Sequence, residues 1–423
     1  MISILARRNK VFRNIGLYTL LNFVNSAIPF LLLPVFTNYL SKFDFGIVDL
    51  FTTFSFIFIP IVGLNIGSSI IRYYYELDKN EFSNFISTIL TFLCLLGGVI
   101  VVIVYFVFLV VKPDYFEGGI PIQIVWLSVL YALFTQIIEV LLNIFRVEEK
   151  PALFGLLRIT KTTMDILLSV YFIVYLNYGW EGRIYPMLFV SGLICIAAIL
   201  FIRKLYGFKF LIHKTYLKIA LSYSVPLIVH TLGGYILAFS DRLVIAHYLG
   251  VDEVGLYAVA YQIGMIMSFL GTSFNQAWTP FVFSILKKDE GKGILKLKKY
   301  NLVYFATTFI VALAIYLAVP LIYELFINND FIVNYYVVLW VLIGYSFFGM
   351  YKFVVNFLFY FKKTKLLAGI TLVSSLINLI LNFILVPVYG LLGAAVSTTI
   401  AFFILFCIVY YFYHRLCEVH LLK

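Results

Sequence analysis

Runs of apolar residues, each long enough to cross a bilayer as a helix and repeated along the whole chain, constrain the fold more than any other feature of this sequence. A helix rises about 1.5 Å per residue, so about twenty apolar residues cross a hydrocarbon core of about 30 Å. Runs bounded by charges or turn residues place spans at Ile15 to Leu40, Gly46 to Ile71, Phe85 to Val111, Ile120 to Phe145, Ala152 to Asn177 and Ile184 to Ile202. A second set falls at Leu217 to Leu249, Val254 to Leu286, Leu302 to Phe326, Ile332 to Phe361, Leu366 to Val386 and Leu391 to Phe412. Charged residues are only 12% of the chain, too few to clothe a water-soluble protein of this size. The expected fold is an all-α integral membrane protein of twelve transmembrane helices.

Lysine and arginine set the expected orientation, because cationic side chains resist translocation and collect in short cytoplasmic loops. Counting loops alternately puts 24 of the 31 cations on one side, with only Lys42, Lys112 and Arg183 on the other and Arg158, Lys161, Arg242 and Lys352 within spans. Both termini are therefore expected in the cytoplasm. The net charge of +11 follows from this topology and needs no nucleic-acid partner. One loop, LKKDEGKGILKLKK, is basic enough to lie against anionic headgroups, with a solvated loop as the plainer alternative. The N-terminus has the basic start of a signal peptide but a longer apolar run and no small-residue cleavage site, so it reads as a retained helix.

Catalytic and cofactor chemistry finds no foothold. Cys94, Cys195, Cys407 and Cys417 stand singly, with no CxxC spacing and no histidine cluster, so neither a metal site nor a disulfide framework is expected. A phosphate-cradling Walker A loop, a DxD motif and a large outer loop are absent, which argues against direct ATP use, a glycosyltransferase and a polysaccharide polymerase. Transport is the reading that remains.

The chain also repeats itself. Tyr39, Leu40 and Gly46 recur as Tyr248, Leu249 and Gly255, an offset of 209, and the YGxxG mark at Tyr178, Gly179 and Gly182 recurs at Tyr389, Gly390 and Gly393, an offset of 211. Six spans per half return the chain to its starting side, so the halves form a parallel repeat about an axis along the membrane normal. Residues 1–208 and 209–423 are expected as two six-helix lobes with a central cavity between them. Pro29, Pro34, Pro60, Pro226, Pro280 and Pro320 are expected to interrupt spans, and breaks in the first and seventh helices favour alternating access.

Charges inside spans are costly in lipid and must face protein or water. Arg158, Lys161 and Asp165 share one face of the fifth span, and Lys161 and Asp165, four residues apart, are expected to pair. The seventh span carries His230, then Asp241 and Arg242, which point about 100° apart as neighbours and are not expected to pair with each other. Arg72 ends the second span. Glu139 and Lys352 correspond at an offset of 213, each followed by an asparagine four residues on, Asn143 and Asn356. Opposite charges at such equivalent sites suit a contact made in one access state and broken in the other. Arg72, Arg158, Lys161, Arg242 and Lys352 are the candidate cargo-binding cations, since arginine and lysine neutralise phosphates well. Glu139, Asp165, His230 and Asp241 are the candidate coupling or gating groups.

Two stretches carry a family likeness. IPFLLLPVFTNYLSKFDFGIVDL, with Pro34, Thr37, Tyr39, Leu40, Ser41 and Gly46, resembles the first-helix signature of bacterial polysaccharide-unit flippases of the Wzx type. The stretch from Ser224 to Gly264, with Pro226, Asp241, Arg242, Leu249, Gly250, Val254, Gly255, Tyr257 and Tyr261, resembles their seventh and eighth helices. The resemblance implies the multidrug/oligosaccharidyl-lipid/polysaccharide exporter fold, two lobes around a V-shaped cavity in the bacterial inner membrane. It implies a flippase rather than an enzyme, free of cofactors, that turns an undecaprenyl-diphosphate-linked repeat unit of O-antigen or a similar glycan to the outer leaflet, driven by an ion gradient. A polysaccharide polymerase and a chain-length regulator are its implied partners, beside the membrane lipids. Relatives that move the peptidoglycan lipid carry two further helices, so a twelve-span chain is expected to take another cargo. A drug exporter of the same superfamily is the nearest rival; it would favour acidic cavity residues, whereas these spans are rich in cations.

Overall fold

The computed structural model describes residues 30–110, 119–288 and 290–421, together with Gly16, Leu21 and Ile28. Most of the expected first span, Pro29, the N-terminal cations Arg7, Arg8, Lys10 and Arg13, and Lys112 lie outside the described residues. The described secondary structure is helical throughout. The order is α1 Leu33–Tyr39, α2 Lys42–Gly63, α3 Ser68–Tyr73, α4 Lys79–Val110, α5 Gln123–Val147, α6 Pro151–Val170, α7 Glu181–Tyr206, α8 Lys214–Leu249, α9 Val251–Lys288, α10 Glu290–Phe326, α11 Tyr335–Tyr360 and α12 Thr364–Leu421.

Nine of these, α2, α4, α5 and α7 to α12, are long and apolar enough to cross a membrane, counted over the described residues. The fifth expected span is α6, which carries three charges and runs on through a π turn at Tyr171–Tyr175. The eleventh and twelfth are merged in α12, whose 58 residues are interrupted at Gly390, where φ is 60° and ψ −139°. Only glycine takes that conformation without strain. The second glycine of the YGxxG mark, Gly393, lets the chain fold tightly at the break: a Cβ there would stand 2.3 Å from the Leu385 carbonyl oxygen. In the first half the mark serves the same junction by close approach, since a Cβ on Gly179 would meet Asp44 Oδ1 at 2.4 Å, and that oxygen accepts from the Trp180 amide at 2.9 Å.

Two expectations about helix breaks are corrected. The second expected span, Gly46 to Ile71, is not continuous: α2 stops at Gly63, Leu64 and Asn65 take positive φ, and α3 restarts at Ser68. Side chains of α5 satisfy the interrupted backbone, with Gln136 donating to the Ile59 carbonyl at 2.6 Å and Asn143 to the Gly67 carbonyl at 3.1 Å. Conversely, α2, α8, α9 and α10 continue through Pro60, Pro226, Pro280 and Pro320. Pro34 sits in the first turn of α1, where a missing amide costs nothing.

Two compact units emerge, residues 39–235 and residues 236–423 joined by 1–38. Local hydrogen bonds hold the ends of these units. The segment after α7 runs along α4, its Lys209, Leu211 and His213 amides donating to the hydroxyls of Ser87, Thr91 and Thr88. At the other end, Asn328, which caps a 3₁₀ turn before α11, donates from its amide to Thr37 and from its side chain to Asn38.

Candidate functional site

In the unit of residues 39–235, α5 and α6 gather the charges. Glu139, Asn143 and Arg146 lie at successive turns of one face of α5. The Arg146 guanidinium donates to Asn143 Oδ1 at 2.7 Å and stands 3.9 Å from Glu139 Oε2. It also lies 5.0 Å from the centroid of the Phe154 ring on α6, and the Arg158 guanidinium lies 5.5 Å from the same ring. Two cations thus share one aromatic platform. One turn along α6, Lys161 Nζ is 5.3 Å from the Tyr131 ring centroid and 3.4 Å from the Tyr131 hydroxyl.

The expected Lys161–Asp165 pair is not formed. Asp165 is buried and bonded instead to Arg183 Nη1 at 2.8 Å, which also donates to Ser169 at 2.8 Å. Arg183 therefore belongs to the interior of the unit, in the first turn of α7, and not to an outer loop. Periodicity along one helix could not find it, because its partner sits on another. Arg146 did leave a signal: it follows Glu139 by seven residues, two turns on the same face.

Arg72 ends α3 in an exposed pair with Glu76 at 2.8 Å, apart from this group. Such exposed pairs contribute little. His230, on the part of α8 in this unit, keeps its Nδ1 buried with no hydrogen-bond partner among the described residues.

In the unit of residues 236–423, Asp241 and Arg242 do pair, against the expectation drawn from their adjacency. Arg242 Nη1 meets Asp241 Oδ1 at 2.6 Å, and the Arg242 amide donates to the same oxygen at 3.0 Å. The 100° between neighbours is spanned because the arginine side chain is long enough to fold back along the helix, where Nη1 also reaches the Ala238 carbonyl at 3.0 Å. The other carboxylate oxygen accepts from Tyr257 at 2.8 Å and Thr398 at 3.4 Å, and the guanidinium lies 4.0 Å from the Tyr261 ring centroid. With side-chain exposures of 3% and 2%, the pair is enclosed by its own unit, which leaves Arg242 no open face toward a cargo in this conformation.

Lys352, on α11, donates to Thr272 at 2.7 Å and lies 4.5 Å from the Phe348 ring centroid. Asn356, one turn on, donates to Asn275 at 2.6 Å and accepts from Thr279 at 2.9 Å. The asparagine that follows Glu139 and the one that follows Lys352 thus both bond a neighbouring element of their own unit.

Comparison with known proteins supplies the family. The model of the family described as "Polysaccharide biosynthesis protein" matches residues 11–286, more than half of the chain. The chain belongs to this family. Both stretches that carry the sequence resemblance fall inside the match. A membrane protein of Haemophilus influenzae described as uncharacterized is 26% identical over 89% of this chain and 88% of its own length. The capsular polysaccharide biosynthesis protein CapF of Staphylococcus aureus is 23% identical over 96% and 99%, and a putative O-antigen transporter of Shigella flexneri is 24% identical over 44% of each chain.

Among solved structures, the fold is similar to the lipid II flippase MurJ in an inward closed conformation, with a TM-score of 0.70 at 17% identity over 96% of this chain and 86% of that one. An inward-facing multidrug resistance MATE family transporter follows at 0.68, with 16% identity over 95% of each chain. This polysaccharide biosynthesis family member is therefore a multi-pass membrane protein with a transporter fold.

Proposed function

We propose that this protein is a flippase that carries an undecaprenyl-diphosphate-linked oligosaccharide repeat unit from the cytoplasmic to the outer leaflet of the bacterial inner membrane by alternating access. In this reading both termini are cytoplasmic, the working lobes divide near residues 208 and 209, and an ion gradient supplies the energy. The observation that carries the proposal is the placement of Arg146 and Arg158 against the single ring of Phe154. Charged side chains in a membrane-spanning unit must face protein or water, and an anionic cargo adds favourable contacts to both guanidiniums. A diphosphate offers paired acceptor oxygens that match two guanidinium forks, and Lys161 adds a point charge one turn farther along α6. Lys352 is retained as a candidate cargo-binding cation.

Glu139 takes the coupling role in this proposal. Asp165 and Asp241 are held in short ion pairs with Arg183 and Arg242, whereas Glu139 is a third exposed and 3.9 Å from its nearest cation. A carboxylate so loosely held is free to change partners during the cycle.

The test is genetic. In a host without paralogues, deletion strands lipid-linked units on the inner leaflet and abolishes surface glycan. Wild-type protein restores it, and Arg146→Gln/Arg158→Gln at equal membrane abundance does not. Surface glycan at the wild-type level in the deletion strain would refute the proposal.

A further inference from the structure

The described residues enclose a cavity of about 730 Å³ within the unit of residues 236–423, between α9, α10 and α11, well apart in sequence from the cluster assigned to cargo. That volume lies in the range of ~300–1,000 Å³ typical of ligand sites. Its walls are aromatic. Phe274 and Tyr304 stand 4.7 Å apart by ring centroids, Tyr304 and Phe353 4.4 Å, and Trp278 and Phe353 4.2 Å. Trp278 spends its only polar group on the Phe353 carbonyl at 3.0 Å, and no charged side chain lines the space among the described residues. A largely apolar wall of this kind fits an apolar chain and offers no counter-charge to a phosphate.

One end of the cavity is polar in a specific way. Phe281 and Tyr300, which line it, lead into the turn between α9 and α10, and there the sequence from Lys287 to Lys299 holds six lysines against Asp289 and Glu290. This segment is not the loose loop that its composition suggests. The helices on either side are packed: Leu286, Ile294 and Leu297 are buried, and a Cβ on Gly293 would come within 2.9 Å of Ile285 Cγ2. Lys287 and Lys299 are exposed on these helix ends. Lys299 adjoins Tyr300, and Lys287 follows Phe281 by six residues, about 9 Å along the helix.

We infer that this slot is a binding site for an anionic phospholipid of the surrounding bilayer, with an acyl chain between α9, α10 and α11 and the phosphate headgroup on Lys287 and Lys299. Charge and shape agree on that occupant: an apolar channel that begins beside a cluster of positive charge fits an amphiphile with a negative head. A bilayer lipid needs only groups that this unit itself supplies.

Tryptophan fluorescence tests the inference directly. The changes Trp126→Phe, Trp180→Phe and Trp340→Phe leave Trp278 as the sole tryptophan of the full chain. In phosphatidylcholine vesicles, phosphatidylglycerol brominated on its acyl chains should quench Trp278 strongly at mole fractions where brominated phosphatidylcholine does not. Lys287→Gln and Lys299→Gln should each weaken the apparent affinity about fivefold. Equal quenching by the two lipids, or quenching untouched by both lysine changes, overturns the inference. Relief of quenching by undecaprenyl diphosphate at lower concentration than by unbrominated phosphatidylglycerol would make the occupant a prenyl chain and also overturn it. Because the triple tryptophan variant can fail to fold, native mass spectrometry of the otherwise unchanged protein gives a second readout. It should retain phosphatidylglycerol, and Val303→Phe/Thr307→Phe, which fills the cavity, should lose it; equal retention counts against the site.

Discussion

Asp165 shows how far a single helix can be read alone. Four-residue spacing made Lys161 its expected partner, but Arg183, from the start of α7, holds it at 2.8 Å. The two accounts separate in stability. Asp165→Asn leaves a buried guanidinium without its counter-charge and should destabilise the protein by ~3–5 kcal/mol, read as a lowered midpoint of thermal unfolding in detergent. Lys161→Gln should leave that midpoint close to wild type, and Asp165→Asn/Arg183→Gln should recover part of the loss. A drop for Lys161→Gln as large as for Asp165→Asn would restore the original pairing. Asp241 and Arg242 carry the same lesson. Their burial in a span was legible, but their pairing was not, since it depends on how a long side chain folds back rather than on where its Cα points. Tyr257→Phe, which removes a hydrogen bond to the Asp241 carboxylate, should cost about 1.5–3 kcal/mol in the same measurement.

The helices themselves were legible wherever an apolar run ended at charges or at a glycine with a backbone task. Gly390 is the clearest case: the repeat mark located it, and its φ of 60° divides α12 into two lengths that each suit one crossing. Gly390→Ala should therefore destabilise by about 1–3 kcal/mol, whereas Gly369→Ala on the same helix, where an added Cβ meets nothing within 4 Å, should be neutral or slightly stabilising. Comparable unfolding midpoints for the two variants would show that the break does not depend on glycine. The turn at Leu64 and Asn65 was hard to read, because only Asn65 is a residue that takes a positive φ readily and the side chains that bond the backbone there, Gln136 and Asn143, come from α5. The prolines misled in the other direction. A proline removes one amide bond, and α8, α9 and α10 carry on through theirs.

For the molecule as a whole, the apolar pattern led to a polytopic membrane protein of the exporter fold; the family match makes it a member of the polysaccharide biosynthesis family, and its fold is similar to those of MurJ and MATE proteins. The partition of the chain was harder to read. Hydroxyls on α4 hold the segment after α7, and Asn328 holds the end of α1, and such bonds have no periodic signature in a sequence. The central claim is movement of a polyprenyl-diphosphate glycan driven by recognition at Arg146 and Arg158. The most direct measurement reconstitutes the purified protein in liposomes with a fluorescent undecaprenyl-diphosphate oligosaccharide and follows bleaching of the outer leaflet by a membrane-impermeant reductant. The account predicts that wild-type protein exposes the inner-leaflet probe to the reductant, while Arg146→Gln/Arg158→Gln at equal density leaves about half of the probe protected, the share of an undisturbed bilayer. About half of the probe still protected with the wild-type protein under an imposed ion gradient, or full exposure with the double variant, would contradict it.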